Sequence, residues 1–121
     1  MKKYDYIESE DYFDMALGWS KGGNYEKSVS CLTRAIELNP NFIYAYIALA
    51  RIYGRLKKYS NAVHALKQAV RIDPGFDRLY FLISKYAYKG GDYKNALIYI
   101  NKALALDRKM LYELMKERIE G

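Results

Sequence analysis

The chain has 121 residues, 51% of them hydrophobic and 28% charged, and reads as one globular, soluble domain. A lone cysteine, Cys31, excludes an internal disulfide, and no run approaches the roughly 20 apolar residues that a membrane helix needs. The net charge of +6 favours acidic partners by long-range attraction and carries no information about fold.

In chain order, residues 1–8 read as an N-terminal extension. Lys2 and Lys3 are not followed by an apolar run, so no secretory signal is expected and a cytoplasmic protein is. The acids Glu8, Glu10 and Asp11 suit the positive end of a helix dipole. A first helix is predicted over 9–21, with Tyr12, Met15, Ala16 and Trp19 on one face as a seam. Gly22-Gly23 ends it, because glycine reaches the left-handed backbone conformation cheaply. A second helix follows over 25–38, and Asn39-Pro40 breaks the chain there. The pattern then repeats. Helices are predicted over 43–56 and 59–72, joined by Leu56-Lys57 without glycine, and over 77–89 and 93–106, joined by Gly90-Gly91. A last helix is predicted over 110–119.

The repeat is 34 residues long. Tyr25, Tyr59 and Tyr93 share this step, as do Leu32, Leu66 and Ile100, and Ala35, Ala69 and Ala103. Small residues recur where paired helices must approach: Ala16, Ala50 and Ser84 on the first helices, Ser28, Ala62 and Ala96 on the second. The chain divides into repeats 9–42, 43–76 and 77–110 and a capping helix, 111–121.

With this period, these small residues, the Gly-x-Tyr turns and the terminal prolines, the sequence resembles the tetratricopeptide repeat (TPR) family over residues 9–110. The resemblance implies an all-α fold of about seven helices, a right-handed superhelix of antiparallel pairs whose first helices line a concave groove. The RNA-binding pentatricopeptide family repeats at about 35 residues and lacks this pattern of small residues and proline.

The last helix has two readings. Leu111, Leu114, Met115 and Ile119 form an apolar stripe that could fold onto the third repeat as a cap. Arg108 stands where proline ends the other units, so the helix from Tyr93 could also run on to Glu120 and present the stripe to another copy.

Nothing in the sequence assembles a catalytic centre. His64 is the only histidine and is predicted on a solvent face, and Cys31 has no second cysteine or nearby histidine to share a metal. No enzyme activity, cofactor or metal is expected. Recognition is. The free stripe of the first helices carries Phe13, Leu17 and Lys21 in unit one, beside Glu10 and Asp14. It carries Tyr44, Ile47, Arg51 and Arg55 in unit two, and Arg78, Phe81, Leu82, Lys85, Tyr88 and Lys89 in unit three. Most of the positive excess lies here among aromatics. This predicts a protein-binding adaptor or scaffold whose groove holds an acidic protein or peptide segment by apolar anchors. A homo-oligomer built through the last helix is one alternative, and single-stranded nucleic acid along the basic groove is another. The TPR domains that grip the C-terminal carboxylate of heat-shock chaperones use lysine, asparagine and arginine at places that here hold Phe13, Leu17, Ala48, Arg78 and Leu82. Only Arg78 is basic, so that type of clamp is not expected.

Overall fold

The computed structural model describes residues 5–121. Among them are seven helices: α1 (Tyr6–Lys21), α2 (Tyr25–Leu38), α3 (Ile43–Arg55), α4 (Tyr59–Ile72), α5 (Asp77–Lys89), α6 (Tyr93–Leu106) and α7 (Met110–Glu120). Residues 1–4 of the expected extension lie outside the described residues, and residues 6–8 belong to α1 rather than to an extension. The early start has a local cause. Asp5 caps the helix, its carboxylate accepting from the Glu8 amide at 2.9 Å. The added turn buries Ser9, whose hydroxyl donates to the Ala35 carbonyl at 2.8 Å.

Helices pair as α1–α2, α3–α4 and α5–α6, and the pairs stack into an all-α solenoid. Small residues sit where the pairs meet, and all six (Ala16, Ala50, Ser84, Ser28, Ala62 and Ala96) are fully buried. With no side chain beyond Cβ or Oγ, the backbones come close enough for a hydroxyl to reach across. Ser28 Oγ donates to the Ala16 carbonyl and Ser84 Oγ to the Ala96 carbonyl, both at 2.7 Å. Between units, Tyr46 and Tyr80 each donate to a proline carbonyl six residues earlier, Pro40 at 2.9 Å and Pro74 at 2.7 Å. Each tyrosine thus ties the break between units to the helix that follows it.

The apolar interior has two clusters. The larger joins α3 to α7 and includes Leu66, Leu79, Ile83, Ile100 and Tyr112. The smaller, Ala16, Leu32, Ala45 and Ile52, joins unit one to unit two. In a stack whose units contact only their neighbours, the first unit is therefore the less firmly held. Its seam departs from expectation. Met15 and Trp19 are 51% and 38% exposed, whereas Leu49 and Tyr53, one period later, pack against the core. A preceding unit would cover this stripe, and none precedes α1 among the described residues.

The turn in unit two is strained. Gly23 and Gly91 adopt φ of 83° and 82°, and the residue at the same place in unit two is Lys57, at φ 60°. A side chain there costs about 1–2 kcal/mol. The next residue, Lys58, begins α4 with no side-chain cap, whereas Asn24 and Asp92 accept from Lys27 and Asn95 amides in the other units. Lys57→Gly with Lys58→Asp is expected to stabilise the protein by about 1–2 kcal/mol, after allowing for glycine's greater freedom when unfolded. A chemical-denaturation midpoint that did not rise would contradict this account of the turn.

Helix α6 does not run on into α7. Residues 107–109 are non-helical, and α7 folds back against α5 and α6 as a cap. Tyr112, not part of the predicted stripe, is 1% exposed, and its ring stacks on Phe81 with centroids 5.2 Å apart. The Tyr112 hydroxyl donates to the Asp77 carboxylate, and Lys109 Nζ lies 3.0 Å from the same oxygen. The phenol, and then the ammonium, hold the Asp77 carboxyl below its ordinary range. Of the predicted stripe, Met115 and Ile119 pack on the core, while Leu111 and Leu114 remain 49% and 55% exposed.

Candidate functional site

The side-by-side first helices form one face with three clefts in a row. The first, about 210 Å³, lies between α1 and α3 and is lined by Leu17, Ser20, Leu32, Ala48, Arg51 and Arg55 among others. The second, about 290 Å³, lies between α3 and α5 and is lined by Arg51, Gly54, Arg55, Lys85, Tyr86 and Lys89. The third, about 350 Å³, lies between α5 and α7, with Phe81, Lys85, Tyr88 and Lys89 on one wall and Leu111, Leu114, Met115 and Arg118 on the other. Arg51 and Arg55 border the first two, and Lys85 and Lys89 the last two, so the clefts form one groove.

The middle cleft gathers four cations by simple helix geometry. Arg51 and Arg55 are one turn apart on α3, and Lys85 and Lys89 repeat them one period later on α5. Adjacent units bring the two pairs to opposite walls. Among the described residues none of the four pairs with a carboxylate. Lys85 is half-buried beside the Tyr86 ring, 5.6 Å from its centroid. Burial pushes its ammonium below the ordinary lysine range, and the neighbouring Lys89, Arg51 and Arg78 push in the same direction. Such a site gains from an anion, which relieves the mutual repulsion and supplies acceptors to guanidinium and ammonium groups.

Gly54 sets the floor. A Cβ there would lie 2.9 Å from Cζ of Tyr86, whose ring is buried. Glycine therefore admits the tyrosine of one unit against the helix of the unit before. Gly54→Ala should gain about 1 kcal/mol of helix propensity and lose about 1–3 kcal/mol to overpacking, a net destabilisation. A melting temperature above wild type would show that Tyr86 moves aside freely.

The predicted groove residues divide by location. Leu17, Arg51, Arg55, Phe81, Lys85, Tyr88 and Lys89 line the clefts. Ile47 and Leu82 are buried in the core and present little surface. Phe13 is half-buried against Phe42, ring centroids 4.9 Å apart. Lys21, Tyr44 and Arg78 are exposed and line none of the three clefts. The sequence reading missed Gly54 and Tyr86. A glycine inside a strong helical pattern is a signal of close approach and could have drawn attention to this place. Arg118, outside the predicted groove residues, also lines the third cleft.

Two other clefts, about 330 and 470 Å³, flank α4 away from these cations, with His64 in both. The carboxylate lining the former, on Asp92, accepts from the Asn95 amide and side chain at 3.2 and 2.8 Å, as the cap of α6. Cys31 is a free, half-buried thiol. Among the described residues no three His, Cys, Asp or Glu side chains cluster to hold a metal, and no helix is long and apolar enough to cross a membrane.

The sequence pattern described as tetratricopeptide repeat matches residues 13–75 and 47–110. No curated protein matches the chain. Among solved structures, the first TPR of Spaghetti (RPAP3) bound to the HSP90 peptide SRMEEVD is similar at a TM-score of 0.88 and 17% identity, over 99% of this chain and 96% of that one. The N-terminal domain of stress-induced protein-1 from C. elegans superposes with a TM-score of 0.87 at 20% identity, over 93% and 94% of the two chains. The second TPR domain of human RPAP3, in complex with the HSP70 peptide SGPTIEEVD, gives 0.83 at 20% identity, over 96% and 95%. Together these matches establish the right-handed superhelix of antiparallel helix pairs.

Proposed function

Because the chain belongs to the tetratricopeptide repeat family, we propose that it is a protein-interaction adaptor, holding an acidic partner segment with apolar anchors along the face of α1, α3 and α5. The observation that carries this reading is the middle cleft, where Arg51, Arg55, Lys85 and Lys89 face one another with no carboxylate among the described residues that line it. Apolar clefts adjoin it on both sides, so a segment lying along the groove meets charge at its centre and hydrocarbon at its flanks. Two structural neighbours were solved with peptides ending in EEVD, which supports an adaptor role on this fold. The mode differs in detail. The cations here stand one and two turns beyond Ala48 and Leu82, the places where the chaperone-binding type of groove would have them. The anion is thus met deeper along α3 and α5, toward their C-terminal ends.

Salt separates this reading from binding of a single nucleic-acid strand. We expect a labelled decapeptide of three glutamates and one leucine in a serine-glycine background to bind, and to weaken only several-fold between 50 and 200 mM salt. A strand neutralised by four cations would show a log-log slope of roughly −3 and lose roughly fiftyfold over the same range. Binding of oligothymidine with that slope, and none of the peptide, would remove the adaptor proposal.

A further inference from the structure

The third cleft gives α7 a role that capping does not explain. A helix that only covered the end of the stack would bury its apolar groups and turn polar ones outward. Helix α7 buries Tyr112 and seats Met115 and Ile119 on the core, yet leaves Leu111 and Leu114 half exposed. Those two leucines are not scattered on the surface. They stand opposite Phe81 and Tyr88 across a cleft of about 350 Å³, with Met115 beside them. The rim is cationic on both walls, Lys85 and Lys89 from α5 and Arg118 from α7. Lys85 and Lys89 also line the middle cleft, so the apolar cleft and the four-cation cleft adjoin through shared side chains.

We infer that α7 is one wall of the binding site: the cleft between α5 and α7 seats an apolar side chain of a partner peptide whose acidic residues lie in the adjoining cleft of Arg51, Arg55, Lys85 and Lys89. This rests on the adaptor reading and makes it more specific. Charge complementarity fixes the occupant's chemistry. A second copy of this chain, at net +6, would bring like charge to a rim that is already basic. An acidic peptide brings the opposite charge. Because Lys85 and Lys89 line both clefts, the apolar anchor lies close in the peptide to the acids. The resulting recognition element is short: an acidic cluster with one large aliphatic or aromatic residue at fixed spacing.

The test is a peptide scan by fluorescence polarisation. The probes are labelled decapeptides with three glutamates in a serine-glycine background, and a single leucine moved through the remaining positions. Wild type is expected to prefer one or two leucine positions about tenfold over the leucine-free peptide. Leu111→Ser with Leu114→Ser should erase that preference, keep the glutamate-dependent binding and leave the helical melt near wild type. Leu114→Ala alone should reduce the preference partly, which guards against a folding defect in the double variant. If the double variant keeps the full leucine preference while charge reversal in the middle cleft still abolishes binding, the α7 wall is wrong and the adaptor reading stands. If no peptide binds the wild type, both fall. A sedimentation mass that drops from dimer to monomer on Leu111→Ser with Leu114→Ser would make the occupant a second copy and overturn the proposal.

Discussion

Arg51→Glu combined with Lys89→Glu is expected to weaken binding of the glutamate-leucine decapeptide at least a hundredfold, while the melting temperature moves little. Both side chains are exposed and, among the described residues, neither pairs with a carboxylate, so their loss removes no described ion pair from the fold. The middle cleft, by contrast, changes from four positive charges to two of each sign. Two charge-assisted contacts disappear, and each replacement carboxylate repels the ligand's own. Loss of charged contacts of this kind corresponds to about 3 kcal/mol or more, hence the hundredfold figure. Arg51 also borders the first cleft and Lys89 the third, so the double variant interrupts the groove at both junctions. Relieving the like-charge repulsion should slightly stabilise the free protein. Unchanged peptide affinity, with a normal circular dichroism spectrum, would mean that the anion is met elsewhere.

The second large effect concerns the cap. Tyr112→Ala should destabilise the protein by about 3–5 kcal/mol, the range for truncating a large buried aromatic side chain. It removes the ring stacked on Phe81 and the hydroxyl that holds Asp77. The third cleft should be lost with it, because its outer wall is α7. Tyr112→Phe separates the two contributions. It keeps the ring and should cost only about 1 kcal/mol, for the hydroxyl. The Asp77 carboxyl, held below its ordinary range when folded, contributes stability that is present above its unfolded value near 4 and is lost as pH falls through the folded value. Acid should therefore loosen the cap in wild type, and Tyr112→Phe should show a smaller acid dependence. Hydrogen exchange of amides in residues 110–120 reads this directly. Equal protection in wild type and Tyr112→Ala would contradict the assigned role.

The alternating pairs, the turns and the small residues at the seams were legible in the residues because a 34-residue period fixes each of them three times over. The α2, α4, α5 and α6 boundaries coincide with those expected, since the 34-residue period carries the glycine, proline and capping signals of one unit to the equivalent places in units that lack them. The basic stripe was legible too, because residues four apart on a helix share a face whatever surrounds it. Its partition was not. Ile47 and Leu82 fall on the same helical stripe as Arg51 and Lys85, and only the packing of neighbouring units draws them into the core.

What the sequence by itself determined is which residues share a helix face, because that follows from local geometry within one unit. What only the tertiary structure decided is whether a face is covered, because cover comes from another element. Met15 and Trp19 share the seam pattern of Leu49 and Tyr53 but are exposed, because among the described residues no unit packs on them. Tyr112 looks like a surface residue and is buried, because α7 turns through residues 107–109 and lays that side against Phe81. The convergence of Arg51 and Arg55 with Lys85 and Lys89 depends likewise on the stacking of one unit on the next, which brings side chains one repeat apart to opposite walls of one cleft.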